Sequence, residues 1–170
     1  MLDLSGIVSD SIVDGPGIRT AIFSQGCPHH CPGCHNPKTW AFGCGTQIPV
    51  EAVAEIVQSN PLCRGVTFSG GEPFAQAAEF AELARILTDK GYEVASYSGY
   101  TFEELLNGTE DQKRLLEAID VLIDGRFVQA QKSLEIAFRG SRNQRILDVP
   151  KSLAAGHAVE TTSKRWLGEY

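Results

Sequence analysis

Three cysteines crowd into one short segment, Cys27-Pro-His-His-Cys31-Pro-Gly-Cys34. Thiolates this close together on a Pro/Gly loop can face one centre. The chain has five cysteines, an odd number, and their spacing is not that of a disulfide framework. Clustered thiols in a reducing compartment point to metal or redox work. A structural zinc site wants four ligands, often as two Cys-x-x-Cys pairs, and a second pair is missing. An iron–sulfur cubane is typically held by four thiolates. Three would leave one iron open, as a catalytic metal site requires. His29, His30 and His35 are donors that could fill the gap, although loop histidines more often face solvent or stack on a ligand. Cys44 and Cys63 stand alone and read as small core residues.

A second segment, Ser69-Gly70-Gly71-Glu72-Pro73, has the composition of a close-approach turn. Paired glycines let a backbone come near a ligand, and proline fixes the exit. Glu72 could accept hydrogen bonds from a ligand amine. Taken alone, the segment is an ordinary strand-to-helix turn.

The elements that must position these segments follow from hydrophobic periodicity. Residues 18–24 alternate and predict a strand ending just before Gly26. Residues 50–58 predict a short helix with Val50, Val53 and Val57 on one side. Residues 65–68 predict a strand halted by the glycine pair. Residues 75–90 predict the clearest helix, with Phe80, Leu83, Ala84 and Leu87 in one stripe and Gly91 as its stop. A strand is expected over 92–97. Thr101 and Glu104 form a capping box that opens the next helical stretch, which Asn107-Gly108 interrupts and which resumes over 111–119. Strands are expected over 121–124 and 145–149.

Strands alternating with helices across short loops imply parallel strands and right-handed crossovers. A closed eight-stranded barrel needs about 250 residues. A chain of 170 residues therefore implies a doubly wound sheet or a partial, open (β/α) barrel, α/β in class, with about five mostly parallel strands. Both place ligands at the C-terminal strand ends. Gly26-Cys27, Ser69 to Glu72, Ser98-Gly99 and Asp124-Gly125-Arg126 all fall there. Residues 1–170 read as a single domain, with 151–170 a candidate flexible tail.

Hydrophobic residues make up 42% of the chain, and mean hydropathy is −0.12. That suits a packed, water-soluble core. Without a run of 18 apolar residues a membrane span is excluded. The start, MLDLSGIVSD, lacks the basic region of a secretory leader and predicts a cytoplasmic chain. Residues 1–125 carry a net charge of −10 and residues 126–170 one of +4. The acidic body argues against nucleic-acid binding. The basic quarter could meet an anionic ligand or an acidic partner, or simply be a solvated face.

Cys-x3-Cys-x2-Cys after a first strand, with Gly-Gly-Glu-Pro after a second, resembles the radical S-adenosylmethionine superfamily. The resemblance implies that Cys27, Cys31 and Cys34 bind a [4Fe–4S] cluster. It also implies that the amino and carboxylate groups of S-adenosylmethionine occupy the open iron, and that Gly70, Gly71 and Glu72 hold its amine. Asp14-Gly-Pro-Gly-Ile-Arg19 and Cys34-His35-Asn36-Pro37 with Trp40 are similar to activases of glycyl radical enzymes. The segments 120–127 and 139–144 resemble, within those, the group acting on the anaerobic ribonucleoside-triphosphate reductase. Glu72 stands where that group often has aspartate.

The resemblance implies further roles. Gly33, Cys34 and His35 would lie against the adenosyl moiety, and Ser96 or Ser98 would approach the ligand. Asp124 and Arg126 would sit at the next strand end, with Arg126 near the ligand carboxylate and Arg139 and Asn143 nearby. Asp124 reads equally well as a turn-starting aspartate, and Arg139, Arg142 and Arg145 as a solvated basic face. Asp14 and Arg19 could simply pair with each other. The implied activity is that of an oxidoreductase making a glycyl radical on the reductase, fed by a low-potential donor such as flavodoxin. The runners-up are an activase of another glycyl radical enzyme and a small-molecule radical enzyme such as a 7-carboxy-7-deazaguanine synthase. Outside this chemistry stand a zinc-stabilised adaptor and a ferredoxin-like carrier.

Overall fold

The computed structural model describes residues 1–169. Its strands are β1 (Leu2–Ser11), β2 (Arg19–Ser24), β3 (Thr46–Ile48), β4 (Gly65–Gly70), β5 (Glu93–Ser98), β6 (Val121–Asp124) and β7 (Arg145–Asp148). Its helices are α1 (Val50–Gln58), α2 (Ala77–Asp89), α3 (Phe102–Leu106), α4 (Glu110–Ala118), α5 (Val149–Ala155) and α6 (Lys164–Leu167). The strands form one open, mixed sheet in the order β3-β1-β2-β4-β5-β6-β7. The middle is parallel, pairing β2 with β4, β4 with β5 and β5 with β6. The flanks are antiparallel: β1 with β2 and β3 on one side, β6 with β7 on the other.

The sheet has seven strands, not about five. β1 escapes periodicity because only Leu2 and Leu4 of its apolar residues bury; most of the strand beyond them, including Ser9 and Asp10, faces solvent. β3 is three residues long and has no buried position, so it leaves no hydrophobic signature. The interrupted helical stretch is two helices, each with its own capping box, Thr101 with Glu104 and Thr109 with Gln112.

Strand alternation splits the core between the two faces of the sheet. In β6, Leu122 joins the large cluster under α1, α2 and α4, which includes Val66, Phe68, Phe80, Leu83 and Leu115. Val121 and Ile123 point the other way and pack with Ala95, Ile146 and Trp166. Trp166, on α6, is 1% exposed. Through residue 169 this end of the chain forms α5 and α6, and the Trp166 indole is buried against the sheet.

Beside Trp166, the first residues of β2, β4 and β5 meet around a buried guanidinium. Arg19 donates from Nε to Thr67 Oγ1 at 2.9 Å, from Nη1 to Glu93 Oε1 at 2.9 Å and from Nη2 to the Val66 carbonyl at 3.2 Å. Its Cζ lies 5.1 Å from the Trp166 ring centroid. A Cβ on Gly65 would come within 2.6 Å of this group, so the glycine there makes room for the arginine. Asp14 bonds Ser11 instead of Arg19. This plug fills the N-terminal end of the parallel strands on the face that carries α6, and the cysteine loop lies at their other end.

Candidate active site

The cysteine loop leaves β2 and is strapped down by the chain that follows it. Gly26 N–H donates to the Thr39 carbonyl at 2.7 Å and Cys27 N–H to the Trp40 carbonyl at 3.1 Å. Gln25 Nε2 donates to the carbonyls of Lys38 and Ala41. The loop turns tightly where Cys34 N–H donates to the Cys31 carbonyl at 3.1 Å, with Gly33 at φ +76°. His30 takes φ +48° and stacks its ring on Trp40, with centroids 4.6 Å apart and planes 8° from parallel. Cys27 is buried; Cys31 and Cys34 are half-buried, and none is in a disulfide.

The turn after β4 crosses directly beneath this loop. Gly71 N–H donates to the Ser24 carbonyl and Glu72 N–H to the Gly26 carbonyl, both at 2.8 Å. A Cβ on Gly71 would lie 2.4 Å from the Gly26 oxygen and 2.9 Å from that of Thr39. The second glycine is thus required by a backbone crossing, whatever else approaches it. Glu72 is fully buried. Its Oε1 accepts from Phe74 N–H at 3.0 Å and Ser98 Oγ at 2.9 Å, and its Oε2 from Gly99 N–H at 2.7 Å. His29 Nε2 lies 2.7 Å from Oε2 and donates there, since an ionised carboxylate only accepts. A carboxylate offers about four lone-pair sites, and here protein donors occupy all four.

The three thiols, Gly70, Gly71, Glu72 and Ser98 line one open cleft. His29, Trp40, Tyr97, Phe127 and Gln144 are among its other wall residues. His35 lines an adjoining cleft with Cys34, Ser69 and Phe127, its ring 5.2 Å from the Phe127 ring. Three expected ligand residues stand outside this lining. Asp124 is 1% exposed, caps α3 through Phe102 N–H and is gripped by Arg145. Arg126 is exposed and pairs with Glu104 at 3.3 Å. Gly33 packs on Gln129 and lies outside the cleft lining. The sequence did not single out Tyr97, Phe127 and Gln144 as lining residues, although Phe127 and Gln144 end the two segments that carried the resemblance.

Burial pushes the Cys27 thiol above its ordinary range, with the nearby Glu72 charge acting the same way and the His29 and His30 backbone N–H groups pulling against it. Burial also raises the Tyr100 phenol, and Glu72 adds to the shift.

The donor chemistry of these residues fits an iron–sulfur cluster, which is held by cysteine thiolates. Soft thiolate donors suit such a cluster. Trp40 Nε1, on the cleft wall, is buried without a protein acceptor, as suits a bound group rich in acceptor atoms.

Residues 13–147 match the family described as a 4Fe-4S single cluster domain. The anaerobic ribonucleoside-triphosphate reductase-activating protein of Vibrio cholerae is 36% identical over 141 residues, covering 78% of this chain and 89% of its own length. The protein of the same description from Escherichia coli K12 is 33% identical, covering 78% and 90%. The pyruvate formate-lyase-activating enzyme of Clostridium pasteurianum is 34% identical over 116 residues, covering 63% of this chain and 49% of its own.

Proposed function

The chain belongs to the family of the anaerobic ribonucleoside-triphosphate reductase-activating proteins, and on that premise we propose that it generates a glycyl radical on an anaerobic ribonucleoside-triphosphate reductase, using a [4Fe–4S] cluster and S-adenosylmethionine. One observation carries the reading: three unpaired thiols of one loop line a single cleft that has no fourth cysteine. Cys27, Cys31 and Cys34 hold the cluster, which when bound supplies the electron that splits the sulfonium into methionine and a 5′-deoxyadenosyl radical. Gly70, Gly71 and Ser98 border the methionine end, and Gly33 and His35 the adenosyl end. Arg126, tied only to Glu104 at the surface, can exchange that partner for the ligand carboxylate. Asp124 serves the site through Arg145 and α3.

The open sheet, with α1, α2 and α4 over one face and a cleft at the ends of its parallel strands, supports a partial (β/α) barrel working as one domain. Its open side suits entry of a protein loop carrying the glycine. The partner surface then excludes water from the cleft. A cytoplasmic setting with a flavodoxin-like donor suits unpaired thiols. Among the described residues no helix is long and apolar enough to cross a membrane. The likeness to the Clostridium pasteurianum protein favours, as second reading, activation of another glycyl radical enzyme.

The test mixes reduced, reconstituted protein with S-adenosylmethionine and the reductase of the same source. A glycyl doublet in electron paramagnetic resonance should appear with release of 5′-deoxyadenosine. Deoxyadenosine formed only with a small metabolite, without a protein radical, would overturn the reading.

A further inference from the structure

The two histidines between Cys27 and Cys31 leave the loop in different directions. His30 stacks on Trp40, within the following chain. His29 enters a socket built by the ends of β4 and β5. Its side chain is 5% exposed. Nε2 reaches Glu72 Oε2 at 2.7 Å. The Tyr100 ring meets its edge with centroids 4.6 Å apart and planes at 75°. The floor is Gly99, where a Cβ would come within 2.4 Å of the His29 ring. Glu72 is itself immobilised by Phe74, Ser98 and Gly99, so the carboxylate is a fixed post and not a swinging arm.

We propose that His29 is a positioning residue: seated in the Glu72–Gly99–Tyr100 socket, it locks the cysteine loop onto the strand ends and sets the thiols before iron arrives. The proposal rests on the activase reading of the cleft. It also reassigns Glu72 from amine acceptor to anchor, because its lone pairs are spent on the protein. A Pro/Gly loop without such an anchor samples many arrangements, and ordering it at the moment of binding lowers affinity for whatever it binds.

Three variants of the full chain test this. His29→Phe keeps the ring and removes the donor. Gly99→Ala keeps His29 and fills the socket, at a glycine whose backbone is outside the left-handed region. His29→Gln keeps a donor and serves as the rescue. Alkylation of Cys27 by iodoacetamide, followed by peptide mass spectrometry before any reconstitution, should quicken about tenfold in the first two and stay near wild type in the third. After anaerobic reconstitution, iron loss to a chelator should follow the same order. Wild-type rates for His29→Phe and Gly99→Ala in both measurements would overturn the lock. If the wild-type chain takes up no iron, the activase reading falls, while the alkylation rates still decide for or against the lock.

Discussion

Arg145 grips Asp124 across the antiparallel pair of β6 and β7, its Nε 3.0 Å from Oδ1 and a terminal nitrogen on Oδ2. Asp124 is buried to 1% exposure and also accepts Phe102 N–H at 2.8 Å, while Arg145 reaches on to Glu103 at 2.8 Å. One ion pair thus joins β6, β7 and α3 beside the cleft. Arg145→Met leaves a buried carboxylate without its countercharge and should cost about 2–4 kcal/mol in urea unfolding. Arg126→Ala breaks only an exposed pair with Glu104 and should stay within about 0.5 kcal/mol. Equal losses in both variants would mean that the buried pair has no special weight.

The pH dependence of stability should contain two opposed contributions. Arg145 holds the Glu103 carboxyl below the usual range. That stabilisation is present above the unfolded value of about 4.3 and is lost as pH falls through the folded one. Burial, reinforced by Glu93 and Asp148, holds the Asp120 carboxyl above the usual range. Its folded form favours the proton, so its contribution is present at low pH and lost as pH rises through the folded value. Asp120→Asn keeps an acceptor for Val94 N–H, which Asp120 receives at 2.9 Å. The variant should melt higher than wild type at pH 7 and lose that advantage near pH 4. An advantage unchanged with pH would rule out the buried charge as its cause.

The parallel centre of the fold was legible in the sequence because its strands and helices bury one full apolar side each. Val66 with Phe68 and the Phe80–Leu87 stripe are examples, both now in one core. β3 was not legible, since nothing in it is buried. The thiols and the glycine pair were legible as a site because residue type and spacing alone mark them. Contacts between distant segments were not. His29 with Glu72 spans 43 positions and Arg145 with Asp124 spans 21, so neither shows in local patterning. Arg145, read as part of a solvated face, is an ion-pair hub.

Gly71, singled out for ligand approach, is required by a different cause. Its missing side chain spares the Gly26 and Thr39 carbonyls, not only a ligand. Gly71→Ala should therefore destabilise the cluster-free chain by about 1–3 kcal/mol, the cost of overpacking against backbone. Gly6, on β1, has open space where its Cβ would go. Gly6→Ala should be neutral or stabilise by up to about 1 kcal/mol. Thermal melts without iron or cofactor separate the two; an unaffected Gly71→Ala chain would mean that the loops slide apart freely.

The ligand set gives the sharpest contrast within a single residue type. Cys27, Cys31 and Cys34 share a loop and a cleft, whereas Cys44 is exposed and Cys63 is buried against Thr20, its Sγ 3.4 Å from that hydroxyl. Anaerobic reconstitution of the wild type should give brown protein with about four irons per chain. Alanine at Cys27, Cys31 or Cys34 removes one thiolate from a set already one short and should abolish both the colour and the cleavage of S-adenosylmethionine. Alanine at Cys44 should change neither. Alanine at Cys63 should keep the iron and lose about 1 kcal/mol of stability through poorer packing. Iron determination and visible absorption on the five variants decide the matter, and iron kept without Cys31 but lost without Cys44 would place the cluster on a different ligand set.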